Sequence, residues 1–364
     1  MLTLFSGRLA VSMKDNITAA IELLNWYDTN RRRMPWRASA GVKPNPYYVW
    51  MSEVMLQQTT VATAEPYFKR FIARWPTVAD IARAELDEVL LGWAGLGYYA
   101  RARNLHKCAR VIVDKYGGHF PDNEAELLKL PGIGRYTAAA ISAIAFGKPA
   151  AVMDVNVERV MARLNRVSDP LPACKPVLYK HVVDMTPTLR SGDYAQAVMD
   201  LGATLCTVRK PKCDLCPWTE RCQGKNMAEL IPLKRSKPKR QTRRGIAFWI
   251  TNPAGAVLLR RRPEKGLLGG MMEVPSTNWV EGAVPDRRTA EMAAPLQMAN
   301  WHEISGTVRH TFSHFHLELN VVTASVEEMR VVPQDCRWCH PGEFEEHALP
   351  TVMRKVARLA LTNL

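Results

Sequence analysis

Leu130-Pro131-Gly132-Ile133-Gly134-Arg135-Tyr136-Thr137 sets Pro-Gly and Gly-x-Gly between two apolar, helix-compatible segments, Glu124 to Leu130 and Tyr136 to Phe146. Glycine admits positive φ and the close approach of another backbone, so the two segments must join through a tight hairpin. A hairpin that feeds a helix N-terminus aims several unpaired N–H donors outward, which suits a DNA phosphate. Gly132 and Gly134 are therefore candidate DNA contacts. The chemistry depends on what stands beside the hairpin: Tyr136 at the start of the second helix, and the carboxylate of Asp154, 18 residues further on.

Charge agrees with a nucleic-acid partner. Lys and Arg number 49 against 35 Asp and Glu, a net charge of +14 that favours polyanions. At 364 residues the chain is comfortable as two domains. No apolar run approaches the length of a membrane span, and Met1 to Ala10 is too short and poorly patterned for a secretory signal. A cytoplasmic protein without a membrane partner is expected, with Met1 or Met13 as its start.

From Asn16 to about Lys225 the pattern is helical, with apolar residues three and four apart in Ile17–Tyr27, Val49–Trp75, Leu86–Tyr116, Glu124–Phe146, Val157–Val167 and Asp193–Cys206. Gly95-Leu96-Gly97-Tyr98-Tyr99 echoes the hairpin, as a weak internal repeat or as a second glycine turn. Between Gly224 and Arg244 the character changes. Lys225, Lys234, Arg235, Lys237, Lys239, Arg240, Arg243 and Arg244 face one acid, Glu229, with Pro232 and Pro238 interspersed. This reads as an exposed, extended basic linker. Beyond it, Gly245–Leu259, Val308–His310 and Phe315–Ser325 alternate like strands and Leu349 to Leu361 reads as a helix, an α+β domain.

Four of the eight cysteines cluster as Cys206-x6-Cys213-x2-Cys216-x5-Cys222. Four thiolates in one compact loop suit an iron–sulfur cluster, and zinc is the alternative that spacing leaves open. Arg209, Lys210, Lys212, Arg221 and Lys225 would favour the thiolates and offset the charge of a cluster. Cys336-Arg337-Trp338-Cys339-His340 formally matches a haem attachment motif, but with no export signal and no helical haem pocket it reads as coincidence.

Taken together, Trp50-Met51-Ser52-Glu53-Val54-Met55-Leu56-Gln57-Gln58-Thr59, Trp93 to Tyr99, the hairpin, Asp154-Val155-Asn156-Val157, the cysteine loop and His310 to His316 resemble the MutY adenine DNA glycosylase family. The resemblance spans nearly the whole chain. It implies a multidomain fold. An all-α helix-hairpin-helix catalytic domain over residues 1–225 carries the hairpin at 130–137 and a [4Fe–4S] loop at 206–222. A basic linker over 226–244 and an α+β Nudix-like lesion-recognition domain over 245–364 follow. The cofactor implied is a [4Fe–4S] cluster on Cys206, Cys213, Cys216 and Cys222. The partner implied is double-stranded DNA containing adenine opposite 8-oxoguanine or guanine, bound by a monomer.

Adenine is a poor leaving group, so cleaving its glycosidic bond needs protonation of the base and stabilisation of an oxocarbenium-like sugar, the work two carboxylates share in glycoside hydrolysis. Glu53, flanked by apolar helix residues, should have a raised pKa and donate the proton. By resemblance the proton goes to N7, Asp154 stabilises or traps the sugar cation, and Asn156 and Tyr136 orient these groups. Taken singly, Glu53 reads as a helix-surface acid, Asp154 as a helix N-cap and Tyr136 as a core residue. The endonuclease III branch has a lysine at the Tyr136 position that forms a Schiff base and cuts the strand. Tyrosine cannot, so a monofunctional glycosylase is expected. The alternatives are an endonuclease III-like glycosylase/lyase and a lesion-binding protein without catalysis.

The flipped base requires contacts at the lesion. The resemblance assigns these to Gln58, Thr59, Leu96 and Tyr98, with Leu96 and Tyr98 forming an exposed wedge, and to Phe312, Ser313 and His314, whose polar groups suit O8 and N7–H. Gly266 to Pro275 looks like the opening of a Nudix box whose acidic Mg²⁺-binding half is missing, so recognition without pyrophosphate hydrolysis is expected. In one departure, Val155 stands where the family usually has glycine. A left-handed backbone there would strain valine by about 1–3 kcal/mol.

Overall fold

The computed structural model describes residues 2–233, 239–298, 300–327 and 331–363. The chain divides into two compact units, Met1–Arg83 with Lys107–Ser236, and Ala84–His106 with Lys237–Leu364.

The first unit is helical. It contains α1 (Leu2–Asn30), α2 (Pro46–Leu56), α3 (Val61–Arg74) and α4 (Val78–Arg83). After α5 (Leu86–Trp93) and the first turns of α6 (Ala100–Tyr116), which belong to the other unit, it resumes with α7 (Glu124–Leu127), α8 (Arg135–Phe146), α9 (Val155–Leu164), α10 (Lys175–Met185) and α11 (Ser191–Thr204). The run Val49–Trp75, read as one helical stretch, is two helices. Gln58 takes a left-handed φ of 59°, and the Thr60 side chain then caps α3 by accepting from the Thr63 N–H. Leu86–Tyr116 is interrupted in the same way at Gly95, Gly97 and Tyr98, all at positive φ.

Leu23, Tyr27, Val160, Met161, Leu178, Val198 and Leu201 form the main core between α1, α9, α10 and α11, and Trp218 of the cysteine loop is part of it. A second seam is almost all alanine: Ala139, Ala140 and Ala143 of α8 against Ala195 of α11. Small side chains allow close approach, and Gly202 extends this to α9. A Cβ there would lie 2.7 Å from the Asn156 Cβ, so α11 presses directly on the first turn of α9.

The second unit carries a mixed sheet of β1 (Gln241–Thr251), β2 (Val257–Arg261), β3 (Met272–Glu273), β4 (Val280–Glu281), β5 (His302–Thr311), β6 (Phe315–Ser325) and β7 (Cys336–Cys339), in the order β3-β2-β1-β6-β5 with β4 on β1 and β7 on β2. The β1–β6 pair is parallel, in register from Gln241↔Phe315 to Thr251↔Ser325, and the remaining pairs are antiparallel. Side chains alternate along β1. Ala247 and Trp249 meet Val352, Met353 and Val356 of α13 (Thr351–Asn363) on one face, while Ile246, Phe248 and Ile250 pack with Leu258, Trp301 and Ala290 of α12 (Arg287–Met292) on the other. The α+β expectation for this part of the chain is met.

One expectation needs correction. The basic linker is shorter than its composition suggested. Ala228 and Ile231 are buried, the Ile231 carbonyl accepts from Arg163 Nε at 2.9 Å, and Gln241 to Arg244 already form β1. Apolar side chains that can fill a core outweigh the charged neighbours. Residues 234–238, and Met1 as a candidate start, lie outside the described residues. Cys336 and Cys339 are both buried but join the cores on opposite faces of the sheet, as an i, i+3 pair on a strand must, so the haem-like spacing brings no two ligands together.

Candidate active site

Helix α2 is apolar almost throughout, and Glu53 is buried in it between Trp50, Met51, Val54 and Met55, with only 6% of its surface exposed. Burial pushes its carboxyl up to about 7. The nearby Asp154 charge pushes the same way, while a hydrogen bond from Tyr136 and the Arg37 charge oppose it. Tyr136, in the first turn of α8, donates its phenolic proton to Glu53 Oε2 at 2.6 Å. The Tyr136 hydroxyl is itself held well above its usual pKa, mainly by burial and secondly by the Glu53 charge.

Asp154 is the N-cap of α9. Its Oδ1 accepts from the Asn156 and Val157 N–H groups at 2.9 and 2.8 Å, and Oδ2 accepts from Asn156 Nδ2 at 2.8 Å. Burial raises its pKa and these three donors counter the rise. Asn156 is held in turn: Arg159 Nη2 donates to Asn156 Oδ1 at 2.9 Å and to the Gly202 carbonyl at 2.6 Å, and Arg159 Nε donates to the Cys206 carbonyl at 2.8 Å. A continuous chain of hydrogen bonds therefore runs from the Asp154 carboxylate to the backbone of the first cysteine of the loop.

Val155 is the first residue of α9, 69% exposed, and is not among the residues at positive φ. Valine carries no backbone strain here, so this departure leaves the Asp154 geometry intact. Around the hairpin, Gly132 has a φ of 77°. Gly134 is extended, with open space where a Cβ would be, and no side chain caps α8. Amides at the N-terminus of a twelve-residue helix that no side chain caps are of the kind that suits an anion. Gly97 sits at φ 71° where Gly134 is at −93°, so the two glycine turns differ at their second glycine. Gln58 is exposed, and the neighbouring Gln57 Nε2 donates to Thr137 Oγ1 at 3.4 Å, tying the end of α2 to α8. Thr59 is partly buried, its N–H bound to the Leu56 carbonyl.

One buried ion pair was not singled out from the sequence. Arg37 donates to both oxygens of Asp200, at 2.6 and 2.9 Å, and the Arg32 N–H adds a third donor at 3.1 Å. This places a paired guanidinium close enough to Glu53 for its charge to lower the Glu53 pKa. The partners are 163 residues apart, so only the apolar setting of Asp200 in α11 signalled a partner.

Cys206, Cys213, Cys216 and Cys222 are all free thiols. Cys216 and Cys222 each feel the charges of other cysteines in the set, and Arg163 Nη1 donates to Cys206 Sγ at 3.2 Å. Among the described residues no three His, Cys, Asp or Glu side chains converge tightly enough for a single ion. Four cysteine thiols in one loop are the donor set that an iron–sulfur cluster takes.

In the second unit, Phe312, Ser313 and His314 form the tip between β5 and β6. Phe312 stacks on Trp279 at 5.9 Å and meets Phe315 at 4.9 Å, leaving Ser313 and His314 exposed. The Tyr98 hydroxyl is in short contact with Ser313 Oγ. Tyr98 is 46% exposed, but Leu96 is only 6% exposed. The exposed wedge is therefore confined to Tyr98: Leu96 is folded inward, and its carbonyl accepts from Arg101.

Residues 51–174 match the HhH-GPD superfamily of base excision DNA repair proteins, 206–222 the iron-sulfur binding domain of endonuclease III, and 246–359 the NUDIX domain. The adenine DNA glycosylase of Homo sapiens is 36% identical over 93% of this chain and 73% of its own length. That of Buchnera aphidicola subsp. Baizongia pistaciae (strain Bp) is 30% identical over 92% and 94%. The chain belongs to the adenine DNA glycosylase family. For an adenine DNA glycosylase of this MutY type the loop at Cys206–Cys222 is a [4Fe–4S] site, as the donor set indicates. A thermostable thymine-DNA glycosylase of solved structure covers 59% of this chain and 98% of its own, at a TM-score of 0.52 and 30% identity, in keeping with the helix-hairpin-helix fold. Among the described residues no helix is long and apolar enough to cross a membrane.

Proposed function

We propose that this adenine DNA glycosylase hydrolyses the bond between adenine and deoxyribose where adenine is mispaired with 8-oxoguanine or guanine, with Glu53 as acid and Asp154 as the carboxylate facing the sugar. As a member of its family the chain is a monofunctional adenine glycosylase of base excision repair, a hydrolase of N-glycosyl bonds. The observation that carries the mechanism is the buried Glu53 carboxyl with a pKa near 7, hydrogen-bonded to Tyr136 and coupled to Asp154.

An acid titrating near 7 delivers a proton at neutral pH and recovers it afterwards. Glu53 gives its proton to adenine N7. The C1′–N9 bond then breaks, its electron pair leaving on the base. Positive charge develops at C1′ and is met by the Asp154 carboxylate, whose charged form its three donors favour and orient. Water adds at C1′, its proton returns to Glu53, and an abasic site remains. Tyr136 holds the Glu53 oxygen but offers no amine, so no Schiff base forms and the strand stays whole. When bound, the cluster on Cys206, Cys213, Cys216 and Cys222 cross-links the loop that packs Trp218 into the core. Arg159 and Asn156 keep Asp154 in register with that loop. The N-terminus of α8 with Gly132 and Gly134 grips phosphate, Gln58 and Thr59 lie at the displaced pair, and Tyr98 with Phe312, Ser313 and His314 reads the opposite base.

The test is a single-turnover assay on a duplex with one adenine opposite 8-oxoguanine. Free adenine and an alkali-labile, uncut strand are expected, with neither produced by Glu53→Gln or Asp154→Asn although both still bind. Prompt scission without alkali, or binding without release by the parent protein, overturns the reading.

A further inference from the structure

In the Nudix-like segment that the sequence singled out, the acid and the glycine carbonyls are engaged by arginines. Glu273, its buried carboxylate, accepts from Arg260 at 2.9 and 2.7 Å and is also paired with Arg262. The glycine loop faces two further arginines. The Gly269 carbonyl is in short contact with Arg103, and a Cβ on Gly270 would rest 3.4 Å from the Arg103 Cδ. The Gly270 carbonyl accepts from Arg261 Nη1 at 3.1 Å. Arg261 also forks onto Asp87, with Nη1–Oδ1 at 2.7 Å and Nη2–Oδ2 at 2.5 Å. The guanidinium holds the Asp87 carboxyl below its usual pKa.

Asp87 lies in α5 and Arg103 in α6, and Tyr98 stands between them on the connecting turn. Tyr98 is at a φ of 48°, Arg101 lies 5.6 Å from its ring, and its hydroxyl meets Ser313. A left-handed tyrosine on a glycine-flanked turn keeps its place only if both flanking helices are fixed. The fixing contacts are Asp87–Arg261 on one side and Arg103–Gly269 on the other.

We infer that the remnant Nudix loop is a docking seat for Ala84–His106, and that Asp87, Arg261 and Arg103 are positioning residues holding Tyr98 against Ser313 so that the two read the base opposite adenine as one rigid body. The inference rests on the roles proposed above for Tyr98 and Ser313.

A charge swap tests it in the full-length protein. Asp87→Arg and Arg261→Asp, singly and together, are compared by two readouts. One is the ratio of single-turnover adenine release opposite 8-oxoguanine to that opposite guanine. The other is hydrogen exchange of the amides in Ala84–His106. Each single variant is expected to lower the ratio about fivefold, the size of a well-made surface ion pair, and to speed exchange. The double variant should recover both. Unchanged ratio and exchange in the singles, or a double no better than they are, overturns the inference. If the parent protein released no adenine from either duplex, the proposed function would fail, while exchange across the four proteins would still decide whether the segment docks here.

Discussion

At Glu53 the helix that presents the acid also dehydrates it. The ordinary carboxyl value of 4.5 becomes about 7 in the folded chain, so between those values the folded state keeps a proton that the unfolded state has released. Stability therefore falls as pH rises from 4.5 to 7 and levels off above. Glu53→Gln, which cannot ionise, is expected to be more stable than the parent at pH 8 by on the order of 3 kcal/mol and equal to it near pH 4. Thermal melts across pH measure this, and a difference independent of pH would remove the buried acid from the scheme. The same variant should lose adenine release by about 10²–10⁴-fold, and the parent rate should decline above pH 7. Glu53 was legible because its sequence neighbours are apolar. Tyr136, 83 residues away, was assigned to orient it through the resemblance alone, and Arg37, which acts through a pairing with Asp200, was not singled out.

The first turn of α9 shows how one element carries two duties, and why choosing between cap and catalyst would have been a mistake. Asp154 caps the helix through Oδ1 while Oδ2 is held by Asn156. Asp154→Asn keeps a capping oxygen and should cost only a few tenths of a kcal/mol, whereas Asp154→Ala loses the cap at about 1 kcal/mol. Both should abolish release, so denaturant unfolding and activity will part company between the two variants. If Asn destabilised as much as Ala, the cap assignment would fall. Val155→Gly should leave release within about twofold, because no left-handed strain is there to relieve. Periodicity showed that these helices exist but not where they break. At 57–60 the break depends on left-handed Gln58, a residue with no glycine-like signature, whereas at 95–99 Gly95 and Gly97 marked the turn and only left-handed Tyr98 did not. Leu96 turned inward for a related reason: a glycine turn describes the backbone path and leaves the side-chain direction to packing.

Across the whole molecule, composition located the change from helices to strands but could not assign Ala84–His106, a helical stretch that clusters with the strand unit. Its contacts to Arg261 and Gly269 lie 174 and 166 residues away, beyond any local pattern. Net charge is the opposite case, a property of the whole chain with no address in it. A surplus of 14 positive charges predicts that duplex binding releases counterions. Each neutralised phosphate adds about 0.9 to the slope of log affinity against log salt. A slope steeper than about −5 is expected, roughly a thousandfold loss between 50 and 200 mM salt. The rate of adenine release at saturating protein should stay flat over the same range, because Glu53 and Asp154 are buried and their coupling is poorly screened. Filter binding gives the first quantity and single-turnover kinetics the second. A shallow binding slope would mean that the positive charge serves solubility and that the hairpin amides carry the grip. A release rate falling in step with affinity would mean that exposed charge enters the chemistry, and that would contradict an acid working by desolvation.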